Sequence, residues 1–138
     1  LIAQSPIDVN LAKQLNILLA NLGVPEDRII LDPTTGGLGY GLEYTYSVME
    51  RDRMAALTQE DVKLQNPIIC NLANEIWKTK EARTSREEDP KLGDERTRGI
   101  MMESVTAMTL LLAGADILVM RHPDAGGLIK GMIEELSE

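Results

Sequence analysis

The chain has 138 residues, enough for one domain with a sizeable core, and its 43% apolar and 26% charged residues are those of an ordinary globular protein. A net charge of −8 excludes the basic face that nucleic acid or an anionic membrane surface would require. A single cysteine, Cys70, excludes an internal disulfide framework and a self-contained four-cysteine cluster or zinc site; with no Phe, the core falls to Leu, Ile, Val and seven Met.

No apolar run reaches the roughly 18 residues of a membrane span, and no basic-then-apolar leader opens the chain, so a cytoplasmic protein is expected. The start at Leu1, without Met, suggests a processed chain or a piece of something longer.

In chain order, Asp8 to Leu22 places Leu11, Leu15, Leu18 and Leu22 at helical spacing, with Asp8 as N-cap. Gly23 and Pro25 close that helix. Arg28 to Asp32 reads as a short buried strand. The run Asp32-Pro33-Thr34-Thr35-Gly36-Gly37-Leu38-Gly39-Tyr40-Gly41 follows it as a tight loop of backbone amides. A second helix runs from Gly41 to Leu57, its inner face traced by Leu42, Tyr46, Met49, Arg53 and Ala56 or Leu57.

Pro67 to Cys70 is a second strand, entered through a proline as first strand residues allow. Glu75 to Arg98 balances seven acids with seven bases, which predicts a solvated charged loop or excursion over 75–98 within a single domain spanning 1–138. Ile100 to Leu112 makes a third helix with Met101, Val105, Met108 and Leu112 on one face. Asp116 to Met120 is a third strand, and Ala125 to Leu136 a last helix.

The order αβαβαβα, without a hairpin signal, means an α/β fold whose parallel strands are covered by helices. Two architectures fit: an open doubly wound sheet, or a partial (β/α)8 TIM barrel of about three βα units behind a leading helix. A complete barrel needs about 250 residues, so three strands cannot close one.

Both architectures place ligands at the C-terminal ends of the strands. There the sequence delivers Asp32, Thr34 and Thr35 after the first strand, Asn71 after the second, and Arg121-His122-Pro123-Asp124 after the third. The glycine loop offers amides to an anion or polar ligand edge, or serves as a turn needing positive φ. Its spacing matches neither the dinucleotide fingerprint nor a phosphate-binding loop. Asp32 suits either a hydrogen bond to a ligand or a cap on its own loop. His122, the one histidine, lacks the partners of a metal site. Cys70 reads as an inert core thiol. Gly126-Gly127 repeats the strand-to-helix glycine pattern more weakly. No residue is assigned as a catalytic acid, base or nucleophile.

The run from Asp32 through Gly36-Gly37-Leu-Gly-Tyr-Gly-Leu-Glu-Tyr-Thr-Tyr-Ser-Val-Met-Glu-Arg51 resembles the small subunit of the corrinoid/iron–sulfur protein, the delta subunit of the acetyl-CoA decarbonylase/synthase complex. So do Asp8-Val9-Asn10-Leu-Ala-Lys-Gln-Leu-Asn-Ile17, Pro67 to Asn71, Glu75-Ile-Trp77-Lys-x-Lys-Glu-Ala82 and Ala113 to Leu118. The resemblance covers nearly the whole chain.

It implies the C-terminal part of a TIM barrel, similar to pterin-dependent methyltransferases. That barrel pairs as a heterodimer with a large (gamma) subunit, which supplies the iron–sulfur cluster and most of the corrinoid (cobamide) site, so no cluster is expected on this chain. The pair would carry a methyl group on cobalt between a tetrahydropterin and acetyl-CoA synthase in one-carbon metabolism, with methyltransferase components as further partners. The small subunit would help enclose the corrinoid and hold the complex together. On this reading Thr34, Thr35, Gly36, Gly37 and Asn71 are candidate cofactor contacts, with Asp32 and His122 as further rim residues. Asp52 falls where relatives are expected to carry an apolar residue. The alternative is a methyltransferase that binds the pterin itself through Asp32 and Asn71; a third reading is purely architectural.

Overall fold

Four short parallel strands, not three, organise the chain. In this computed structural model, which describes residues 1–137, β1 (Ile2–Gln4) pairs with β2 (Ile30–Asp32), Ile2 opposite Ile30 and Gln4 opposite Asp32. β3 (Ile69–Cys70) pairs with β4 (Ile117–Leu118), Ile69 opposite Ile117. A parallel bridge between Leu31 and Ile68 joins the two pairs, so each strand lies beside its predecessor in the chain. The strands do not close into a barrel. β1 escapes sequence reading because only Ala3 of its three residues is buried.

The helices are α1 (Val9–Asn21), α2 (Leu42–Thr58), α3 (Leu72–Lys78), α4 (Lys80–Arg83), α5 (Glu95–Leu112) and α6 (Pro123–Leu136). Asp8 caps α1 as its type and position predict, accepting the Asn10 and Leu11 N–H groups. Gly23 then takes φ +88°, the left-handed turn that glycine tolerates best.

One face of the sheet is core. Leu31, Ile68 and Cys70 are buried against Met49, Leu64, Leu72, Ile76, Ala107, Leu110 and Ile129 from the helices. The other face is uncovered: Ile2 is 55%, Ile117 38% and Val119 39% exposed. Parallel sheets are normally buried on both faces, so this open apolar face is the fold's main departure from a self-sufficient unit. A clamp secures the β3–β4 side: the Asp116 carboxylate accepts the Ile68 N–H at 2.8 Å and pairs with Arg53, whose Nε donates to Gly114 O at 3.0 Å.

Three expectations need correction. The leucine stripe of α1 is not its buried face: Leu11, Leu18 and Leu22 are exposed, and Ala12 and Asn16 point inward. Asn16 is held there by donating to Lys63 O. On α2 the predicted face holds in part: Met49 and Ala56 are buried and Leu42 and Tyr46 pack on the core, but the buried row also takes in Thr45, Val48, Asp52 and Ala55, and Leu57 is exposed. The stretch 75–98 is not a loop. It holds the end of α3, all of α4, a 3₁₀ turn at Pro90–Leu92 and the start of α5. Side-chain caps from Thr79, Asp89 and Asp94 start α4, the 3₁₀ turn and α5, and Arg98 donates to Thr84, Leu92 and Gly93 carbonyls, pinning the segment down. Balanced charge there marks capped, surface-lying helices.

Candidate functional site

The loops leaving β1, β2 and β3 are tied into one polar rim at the C-terminal ends of the strands. The Asp32 carboxylate accepts the Thr34 N–H at 2.9 Å. Thr34 sits at φ +65°, a conformation that costs a β-branched residue about 1–3 kcal/mol and persists only where surroundings enforce it. Its surroundings do so. The Thr34 hydroxyl donates to Ser5 O, and the Thr45 hydroxyl donates to Thr34 O at 3.3 Å. The Thr35 hydroxyl donates to Asn71 O at 2.7 Å, linking the β2 loop to the β3 loop.

Four of the sequence-derived candidates therefore meet here: Asp32, Thr34, Thr35 and Asn71. Thr34 and Thr35 spend their hydroxyls on the scaffold and act as braces. The Asn71 side chain makes no cap on α3 and is exposed on the rim. Gly36 is exposed within the 3₁₀ turn Thr35–Gly39; Gly37 lies in that turn, and its surroundings fall outside the described residues. Burial pushes the Asp32 carboxyl up from its ordinary range, against the opposing pull of the Thr34 N–H.

His122 belongs to a second group, on the shoulder of the rim between α3 and α5. It caps α6, its Nδ1 accepting the Asp124 N–H at 3.2 Å, and stacks on Trp77 with ring centroids 6.1 Å apart. The residue that builds this group is Glu103, 0% exposed. Its carboxyl oxygens accept Trp77 Nε1–H at 3.0 Å, the His122 N–H at 3.1 Å and the Arg121 N–H, so a buried polar group is met by three donors. Sequence reading missed Glu103 and Ser5, the residue that follows β1. The signal for Glu103 was an acid in line with Gly99, Ala107 and Leu110, at helical spacing on the buried face of α5. Gly99 is required there, because a Cβ would lie 2.5 Å from the Trp77 ring.

Residues 1–132 match the family described as the CO dehydrogenase/acetyl-CoA synthase delta subunit. The chain belongs to the delta-subunit family. This delta-family chain is 42% identical over 134 residues to the acetyl-CoA decarbonylase/synthase complex subunit delta of Methanopyrus kandleri, covering 97% of this chain and 32% of that protein. It is 40% identical to subunit delta 2 of Methanosarcina acetivorans, covering 94% of this chain and 30% of that protein. The subunit delta of Archaeoglobus fulgidus is likewise 40% identical, over 94% of this chain and 29% of that protein. The chain thus spans about a third of the length of these relatives.

Among the described residues of the delta-family chain, no three His, Cys, Asp or Glu side chains gather as metal ligands. Cys70 is fully buried, with its Sγ 3.7 Å from Met49 Sδ. Burial, then the nearby Asp32 and Asp116 carboxylates, push its thiol up to about 12. A thiol so buried and protonated is a poor nucleophile at neutral pH. No described helix is long and apolar enough to cross a membrane.

Proposed function

We propose that this chain is part of a delta subunit that acts as wall and partner, enclosing one side of a corrinoid held mainly by a large (gamma) subunit, within a complex that passes a methyl group between a tetrahydropterin and acetyl-CoA synthase. The observation that carries the reading is the braced rim: the Thr35–Asn71 link and the Thr34 braces hold three strand-end loops as one surface. A flat ligand with polar edges fits such a surface. Asn71 and the exposed backbone of Gly36 are free to meet amide groups, whereas Thr34 and Thr35 keep the loops in register. The corrinoid, when bound, supplies the cobalt that carries the methyl group; the chain's residues supply position and exclusion of water.

The sheet supports the barrel form of this reading. Strands in chain order, helices packed on one face and an open apolar opposite face are what an arc of a (β/α)8 barrel has, its inner side awaiting the remaining strands. A doubly wound sheet would reverse its strand order. The reading places the protein in the cytoplasm.

The test uses the full-length delta subunit purified with its large subunit. Asn71→Ala should lower corrinoid retention, read from the visible spectrum of the complex, and Asp32→Ala should leave pterin affinity unchanged. A collapse of pterin affinity in Asp32→Ala, with corrinoid retained in Asn71→Ala, would instead assign a pterin-binding methyltransferase. Unchanged methyl transfer in both variants would leave only an architectural role.

A further inference from the structure

We infer that Glu103 is a positioning residue for the ligand-facing rim: from the interior it ties the loop that carries His122 to the helix that starts after Asn71, and so sets the spacing of these two polar groups. The inference rests on the reading of the rim as one wall of a corrinoid site. The Thr34 and Thr35 hydroxyls join the loops after β1, β2 and β3; they do not reach the loop after β4. Two other contacts bring that loop in. At the start of α3, the Ala73 N–H donates to Val119 O at 3.1 Å. At its end, Trp77 Nε1–H donates to the Glu103 carboxyl, which also takes the backbone N–H of Arg121 and of His122. α3 is therefore fixed to the β4–α6 connection at both ends. The indole adds packing to this tie: the His122 ring stacks on it with centroids 6.1 Å apart, and the Arg121 guanidinium lies 5.3 Å from its centre.

The chemistry of the three partners selects an acid. All are N–H donors, and a carboxyl group can turn acceptor lone pairs to each, whereas an amide must point its own NH2 at one of them. A polar network with every member satisfied fixes one geometry where apolar packing tolerates several. Glu103 is fully buried and touches no ligand, so the geometry it fixes is felt at the ends of the tie. One end is Asn71, exposed on the rim just before the first residue of α3. The other is His122, whose Nδ1 accepts the Asp124 N–H at 3.2 Å, so the neutral ring carries its proton on Nε2 and offers a donor. β3 and β4 are paired neighbours, and the two residues leave adjacent strand ends. An amide-edged ligand needs such donors at a set spacing, and a supporting shell that slackens by about 1 Å loses it.

The test uses the full-length delta subunit in complex with its large subunit. It reads corrinoid retention from the visible spectrum, thermal midpoints, and backbone amide exchange at Arg121 and His122. Both amides should exchange slowly in the parent. Glu103→Gln should speed at least one of them and weaken retention by about tenfold, the worth of one hydrogen bond. Combined with Asn71→Ala, its effect should fall short of additive, because Glu103 acts through the placement of Asn71 and His122. Trp77→Phe keeps a stacked ring and removes only the indole donor; it should show a smaller loss with the same shortfall, and it serves where Glu103→Gln does not fold. Asp116→Ala is the comparison: it loosens the opposite ends of β3 and β4, and should lower the midpoint with retention as in the parent. Fast exchange of both amides in the parent, unchanged retention in Glu103→Gln and Trp77→Phe, strictly additive losses with Asn71→Ala, or an equal loss in Asp116→Ala would each overturn the assignment. A parent complex that holds no corrinoid would remove the rim reading and this assignment with it; a parent that holds it beside an indifferent Glu103→Gln removes the positioning role alone.

Discussion

Asp52 is a carboxylate on the buried face of α2, 1% exposed, with Oδ1 lacking any hydrogen-bond partner. Burial raises its pKa from 3.8 to about 6; Arg53 pulls the other way, and Asp8 adds a smaller push upward. A rise of that size corresponds to roughly 3 kcal/mol. Because the folded state holds this proton more tightly than the unfolded chain, stability falls as pH rises from about 4 to about 6 and the full cost remains above that. Asp52→Asn keeps the shape and removes the charge. The variant should match the parent near pH 4 and exceed it by about 2–3 kcal/mol at pH 7. Urea denaturation of the full-length subunit at several pH values measures this directly. A parent-to-variant difference that stays flat from pH 4 to 8, or a variant less stable than the parent at pH 7, would refute the reasoning.

Other substitutions follow from single contacts. Gly99→Ala would normally favour a helix interior by up to about 1 kcal/mol. Here the Cβ meets the Trp77 ring at 2.5 Å, so overpacking should win and cost about 1–3 kcal/mol, seen as a lowered thermal midpoint. Asp116→Ala removes the acceptor of the Ile68 N–H and the partner of Arg53, and should cost about 1–3 kcal/mol by the same measurement; Asp116→Asn should cost less. Cys70, buried and protonated well above neutral pH, should resist thiol reagents at pH 8 in the native protein and react once unfolded, as peptide mapping would show. Native-state labelling as fast as that of a free thiol would contradict its burial.

Much of the fold was legible because it rests on local chemistry. The cap at Asp8, the turn at Gly23 and the strand ends at Asp32 and Asn71 each follow from what one residue type does to a neighbouring backbone. The rim was legible in its members but not in its roles. Thr34 and Thr35 look like ligand donors in sequence; only the structure shows their hydroxyls committed to Ser5 and Asn71 carbonyls. Glu103 was not legible as a member, since a buried acid is recognisable only through donors 18 to 26 residues distant in the chain.

The misread faces share a cause. Leu11, Leu15, Leu18 and Leu22 have the spacing of a packed stripe, yet Leu22 is 82% and Leu18 52% exposed. The opposite flank of α1 meets its neighbours, Asn16 reaching Lys63 and Lys13 pairing with Asp61 at 2.5 Å. The leucines thus face away from α2, beyond the β1 edge, and Ile2, Ile117 and Val119 lie open on the inner side of the sheet. Apolar spacing reports what a helix buries in its complete setting. The present chain spans about a third of its relatives' length. On the barrel reading, a helix beside α1 and strands across the open face would cover both patches. The same logic makes a direct demand: in a full-length subunit, Leu18→Glu should destabilise by about 2 kcal/mol or more, as a charge forced into a packed seam does. A full-length subunit indifferent to Leu18→Glu would show the stripe to be solvent-facing and remove α1's flank as support for the barrel.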